Sequence, residues 1–341
     1  MSVVVNGERK RIGLALSGGG FRAAAFHLGV FRRLRALGLL DKIDLLSCVS
    51  GGSIAGAALA AGWEKPGMLN DFEKYLTTRS IAVSSVIGGL LDPFETRTDK
   101  LAQSYDRDLF SGLTLGDLAS GPRLYLNATN LATGNLFFFV TGRGGENDIS
   151  MGDYELGVRD AQRFRLSRAV AASSSFPPVF PPLRLDEDEF PPTPTVEYVT
   201  LTDGGVYDNL GINPLLRQAR NQLDYVIVSD AGNPFTVDAT PVESGLGVLT
   251  GLIQILMEQV RGLQFDRMSY RHGAKKGPKP LWFSIDSTIG EAQTGDASLA
   301  SAVGTNLKRL SAAEMAVLTR HGGALVEARL RAYAPELLPP T

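Results

Sequence analysis

Two short apolar runs, each ending in a glycine-rich turn that opens a helix-periodic stretch, constrain this fold most. In "RIGLALSGGGFRAAAFHLGVFRRLRALGLL" the run Ile12 to Leu16 reads as a buried strand followed by Gly18, Gly19 and Gly20. From Phe21 to Leu37, residues Ala24, Leu28, Phe31 and Leu34 recur at helical steps. Gly38 supplies a helix stop. "IDLLSCV", Ile43 to Val49, is a second buried strand, and "GSIAGAALAAG" is a helix of small residues able to pack closely. Strand, helix, strand, helix in this order predicts an α/β fold with a central, mostly parallel sheet flanked by helices.

The remaining chain fits this class less regularly. Residues 67–120 read as mostly helical, and Arg163 to Ala172 as a further helix. "RLYLNATNL" and "NLFFFVT" read as strands joined through residues 132–134. "FPPVFPP" and "FPPTPT" flank the acidic run Asp186 to Glu189 and mark loops or a sheet edge. "EYVTLTDGG" and "LDYVIVSDAG" add two strands, and Val242 to Leu263 carries a helical apolar stripe. Final helices span about 299–332. With no repeat or linker, residues 1–341 are expected to form a single domain.

A net charge of −2 provides no field to recruit nucleic acid. No run reaches the roughly 18 apolar residues of a membrane span. The start "MSVVVNGERKRIG" lacks the apolar core of a signal peptide, and the single Cys48 forbids an internal disulfide. The expectation is a cytoplasmic protein. Cys48, His27, His272 and His321 show no ligand spacing, so no metal is expected.

Three motifs carry chemistry. Gly18-Gly19-Gly20-Phe21-Arg22-Ala23 fits a dinucleotide-binding turn, an oxyanion-binding nest of amides at a helix start, or a plain tight turn. A dinucleotide site wants an acid at the far end of the second strand, but Asp41 and Asp44 precede that strand and Ser50 ends it. In "CVSGGS" a serine at a sharp strand-to-helix turn exposes its hydroxyl, with Gly51 and Gly52 leaving room; the alternative is a helix-capping serine. Cys48 stands where the G-x-S-x-G pattern has its first glycine. A serine nucleophile needs a base. The three histidines have ordinary settings, whereas Asp203 in "LTDGGVYDNLG" ends an apolar strand beside Gly204 and Gly205; an ordinary Asp-Gly turn is the competing reading.

Taken together and in order, "SGGGFRA", "VSGGS" and "DGG" resemble the patatin-like phospholipase family over about residues 11–215, as does "ASSSFPPVFPP". The resemblance implies a three-layer fold, Ser50 as nucleophile, Asp203 as base, and oxyanion amides from Gly18, Gly19 and Gly20. It gives Arg22 a role in holding that loop or meeting a lipid phosphate. The implied activity is hydrolysis of phospholipid or other acyl esters without cofactor or metal. Residues 220–341 carry no motif and are expected to complete the domain. Residues 81–94 and the basic stretch 267–279 are candidates for peripheral membrane contact. Two rivals remain: a catalytically dead lipid-binding or scaffold protein, and a dinucleotide-binding oxidoreductase.

Overall fold

The structure is a computed structural model that describes residues 3–81, 96–118, 120–142, 148–232, 243 and 245–339. A hairpin of β1 (Val3–Val5) and β2 (Glu8–Lys10) precedes the main sheet. The first half of that sheet comprises β3 (Ile12–Leu16), β4 (Leu45–Val49), β5 (Arg123–Asn130), β6 (Leu136–Thr141), β7 (Ser150–Asp153) and β8 (Gly157–Asp160). Completing it are β9 (Leu183–Arg184), β10 (Thr200–Asp203), β11 (Tyr225–Asp230) and β12 (Lys279–Ser284). The order is β12-β11-β3-β4-β5-β6-β7-β8, with β10 and β9 attached to β5. The centre, β12 through β5, is parallel, and β6 to β8 extend it as an antiparallel meander.

Strand alternation divides the apolar residues between two covered faces. Ile12, Leu14, Leu16, Leu46, Cys48 and Ile227 point into the larger core. Ala15, Leu45, Val226 and Val228 point into the smaller one. Strands buried on both faces read as continuous apolar runs, which is why β3, β4 and β11 stand out in the sequence. The larger core is built by α1 (Gly20–Ala36), α2 (Gly51–Ala61), α3 (Met68–Thr78), α4 (Arg97–Tyr105) and α5 (Leu166–Ser173). The segment after β10 covers the opposite face, through Leu210, Ile212 and Leu215. It includes the short α6 (Gly205–Asp208) and α7 (Gln218–Asn221). The long α8 (Gly245–Gly273) adds Met268 to that face. α9 (Asp296–Ala302) and α10 (Ala312–Tyr333) return to the first layer. The outcome is three layers, and the chain beyond residue 220 contributes β11 and β12 to the same sheet.

Of the helix expected from Val242, Val242 itself lies outside the described residues; the described helix spans Gly245–Gly273, ten residues beyond the expected end at Leu263, and its apolar stripe is largely exposed. Strands β7, β8 and β12 have no clear sequence signal. β7 and β8 are four residues each, with polar or glycine content, and β12 opens on Lys-Pro. Of the segment 81–94, only Ile81 is within the described residues, where it is buried.

Candidate active site

β5 brings the site together. Its first five residues, Arg123 to Asn127, pair in parallel with β4. Its next residues, Ala128 to Asn130, pair antiparallel with β10 along the same edge. β4 and β10 therefore lie end to end and point at each other, with Val49 opposite Asn127 and Asp203 opposite Ala128. Asp203 thus meets Ser50 head-on, from an antiparallel strand, rather than from a neighbouring parallel strand end.

Ser50 sits at the turn with φ 52 and ψ −117. Left-handed φ in a non-glycine residue is strained and is kept only where the surroundings enforce it. Close packing does so here. A Cβ on Gly51 would lie 2.2 Å from the Gly20 carbonyl oxygen, and one on Gly52 equally close to that of Leu16. The Ser50 hydroxyl makes no capping bond to α2, which disposes of the helix-cap alternative. Its amide donates to Ser173 Oγ at 3.1 Å, and Ser173 Oγ donates to the Asn127 carbonyl at 2.5 Å. The Ser173 carbonyl also accepts the Gly204 amide at 3.2 Å, so one residue grips both halves of the site. Cys48 is buried facing Gly56 of α2, so the bulk that departs from the G-x-S-x-G pattern is absorbed away from the serine.

Asp203 is 1% exposed. Its Oδ1 accepts the Gly205 amide at 2.7 Å, while its Oδ2 has no hydrogen-bond partner. The Ser50 hydroxyl lies beside the carboxylate, favouring its charged form without closing a formed bond to Oδ2. Burial outweighs both donors and raises the carboxyl from 3.8 to about 7. Thr129 Oγ1 donates to the Asp203 carbonyl at 2.8 Å and ties the turn back to β5. Gly204 packs on the Asn127 carbonyl.

The glycine turn after β3 flanks Ser50: a Cβ on Gly18 would lie 3.1 Å from that of Ser50. Gly19 (φ 138) and Gly20 (φ 60) adopt backbone that a side chain would strain. The three amides are not equivalent. That of Gly18 donates to the Asn209 carbonyl at 3.2 Å, so it is not free for an oxyanion. Those of Gly19 and Gly20 have no acceptor among the described residues. Arg22 is buried beneath the loop. Its guanidinium donates to the carbonyls of Ala231 at 2.9 Å and Val303 at 3.1 Å, which fits loop-holding and turns it away from any phosphate outside.

The histidines are elsewhere. His27 is buried, donating from Nε2 to the Ser17 carbonyl and accepting from Ser229 at Nδ1, and burial lowers it to about 4. His321 is buried and donates to the Ile285 carbonyl, while His272 is exposed on α8. No His, Cys, Asp or Glu cluster among the described residues can hold a metal. Ser173 and Asn127 also serve the site, through contacts that sequence alone does not reveal. Ser173 lies in the segment "ASSSFPP", and Asn127 begins a glycosylation sequon, "NAT". Asn127 is buried, donating through Nδ2 to the Cys48 carbonyl and Ser47 Oγ.

Comparison places this arrangement. No curated protein matches the sequence. Two structures of human GIVD cytosolic phospholipase A2 share the fold. One has TM-score 0.62 and 14% identity, covering 96% of this chain. The other, in complex with methyl γ-linolenyl fluorophosphonate inhibitor and terbium chloride, has TM-score 0.60 at the same identity and coverage. This chain spans 62% and 59% of the length of those two chains. The family model for patatin-like phospholipase matches residues 14–216, more than half of the chain, and takes in all three glycine motifs. The chain belongs to the patatin-like phospholipase family.

Proposed function

We propose that the protein is a lipid acyl hydrolase that cleaves carboxylic esters, phospholipids among them, through a Ser50–Asp203 dyad. The observation that carries this reading is the end-to-end meeting of β4 and β10, which sets a strained serine against a buried carboxylate with an unused oxygen. Asp203 Oδ2 takes the hydroxyl proton as Ser50 Oγ attacks the ester carbonyl. The amides of Gly19 and Gly20 stabilise the tetrahedral oxyanion, each such donor being worth about 3–4 kcal/mol. Collapse breaks the ester C–O bond, and the departing alcohol takes the proton from Asp203. Water then loses a proton to Asp203 and attacks the acyl-serine. The second collapse frees the carboxylic acid and returns the proton to Ser50. A base raised to about 7 suits proton transfer near neutral pH.

The oxidoreductase rival loses support from the site itself, since β4 leads into Ser50 rather than an acid and the Gly18 amide is already engaged. The test is labelling with a fluorophosphonate probe and mapping of the modified residue. Ser50 is expected to carry the label, and Ser50→Ala to lose both label and turnover of a soluble p-nitrophenyl ester while staying folded. Label on another residue, or undiminished turnover by Ser50→Ala, overturns the mechanism. A folded wild type that binds lipid yet turns over no ester is the scaffold rival.

A further inference from the structure

α8 presents two unlike sides. Towards the protein, a Cβ on Gly205 would meet the Met257 methyl at 2.9 Å, so the helix packs on the turn that follows Asp203. Arg261 fixes its middle by an ion pair to buried Asp230 at 2.6 Å. Arg267 bonds Asn213 at 2.7 Å, and Phe265 packs on Trp282. Away from the protein, Leu249, Leu252, Leu256 and Leu263 fall on one stripe, and Val248 and Ile255 widen it. These six are between 36% and 68% exposed. Single exposed apolar residues are ordinary, but a continuous row is a docking surface.

Charge selects the occupant. From Gly245 to Val260 the only charged side chain is Glu258, which pairs with Arg261. From Gly262 to Lys279 five cations stand against one acid, Asp266; Arg267 is bonded to Asn213 and Lys279 pairs with Glu336 at 3.7 Å, so Arg271, Lys275 and Lys276 carry the charge of the helix end. An apolar stripe running into a cationic end matches the boundary between acyl chains and anionic headgroups. A second copy of the chain fits less well. The six side chains expose on the order of 500 Å², short of the about 800 Å² per partner of a standard interface. No helix among the described residues is long and apolar enough to cross a membrane.

We infer that α8 is an interfacial helix that lies flat on an anionic lipid surface and holds the Ser50–Asp203 rim against it. The inference rests on the proposed hydrolysis of lipid esters, but its test requires no catalysis.

Full-length Ser50→Ala protein is floated with phosphatidylcholine vesicles, with and without phosphatidylglycerol. Adding Leu252→Gln, Leu256→Gln and Leu263→Gln should weaken partitioning at least about 100-fold, and all three sites are exposed enough to leave melting unchanged. Adding Lys275→Gln and Lys276→Gln instead should remove about 25-fold of the binding that phosphatidylglycerol contributes. With Ser50 restored, the leucine variant should hydrolyse a soluble ester normally and vesicle lipid poorly. The inference is overturned if the parent binds neither vesicle, or if the leucine variant binds as well as its parent. It is equally overturned if the parent is a dimer that these substitutions dissociate, which gives the stripe to a second copy. Vesicle binding that needs the leucines, in a protein with no ester turnover, supports the docking helix and rejects the hydrolase.

Discussion

Asp203→Asn separates the charge of this carboxyl from its shape. Burial raises it from 3.8 to about 7 in the folded chain, against the lowering pull of the Gly205 amide and the Ser50 hydroxyl. Between those two values the folded chain binds a proton that the unfolded chain has released. Stability from this group therefore falls as pH rises through the window. A shift of about three units at about 1.4 kcal/mol each sets an upper bound of about 4 kcal/mol. Asparagine keeps the oxygen that accepts from Gly205, and its amide group replaces the unpartnered Oδ2. That buried donor costs about 1–3 kcal/mol at every pH, so it offsets the variant's curve without tilting it. His27, lowered to about 4, pulls the other way, its contribution growing as pH rises towards 6.5. Asp208 is raised by burial as Asp203 is. Both are common to the two proteins and cancel in the difference. Urea unfolding of each protein from about pH 4 to about pH 9 supplies the two curves. The variant's stability relative to wild type should be flat near pH 4, climb to about pH 7 and level off above, while kcat on a soluble ester drops about 10³- to 10⁴-fold. Parallel stability curves would refute the raised carboxyl, and a retained kcat would refute the base.

Four further outcomes follow from the same geometry. Wild-type kcat/KM on a soluble ester should rise with pH through about 7 and then plateau, because only ionised Asp203 accepts a proton; a pH–rate profile flat from pH 5 to 8 contradicts this. Ser50→Gly should abolish turnover yet stabilise the fold by about 1–2 kcal/mol in urea unfolding by releasing the strained φ, so an unchanged midpoint would count against strain. Ser173→Ala should lower kcat about tenfold with little change in KM, since it loosens the Ser50 amide and the Asn127 carbonyl together; a pure KM effect would argue for a binding role. His272→Gln should leave both activity and melting unaltered, whereas His27→Gln should lower the melting temperature while the folded protein keeps its kcat.

The strands β3 and β4, helix α1 and the glycine turns are legible because each is a local pattern: apolar residues buried on both faces, a period near 3.6, and glycine where the backbone turns sharply. Ser50 and Asp203 are legible as strand-end residues for the same reason. The direction from which Asp203 arrives is not, because an apolar run has the same composition whether its strand pairs parallel or antiparallel. The engagement of the Gly18 amide is equally hidden, since its acceptor, Asn209, lies in a distant loop. In α8 the helical period is plain, but a period states only that apolar residues share a side. What covers that side depends on tertiary contacts, and here Met257 and Met268 take the protein-facing positions while the leucines face out. Ser173 carries a local hint in its serine run, but its double grip exists only once β10 and α5 are in place.

β5 works as a ruler for the proposed reaction. Consecutive residues, Asn127 and Ala128, hold the ends of the two strands that lead to the proposed nucleophile and base, so one backbone step of about 3.3 Å sets their spacing. Side-chain repacking in the core cannot adjust that step gradually. A one-residue slip of β10 would turn Asp203 to the other face of the sheet, and an insertion between Asn127 and Ala128 would part the pair by a full step. Competence in this architecture is therefore digital. The register is either right or it is not, and variation that tunes rate has to act on the loops and helices around the rim rather than on the distance between its two halves.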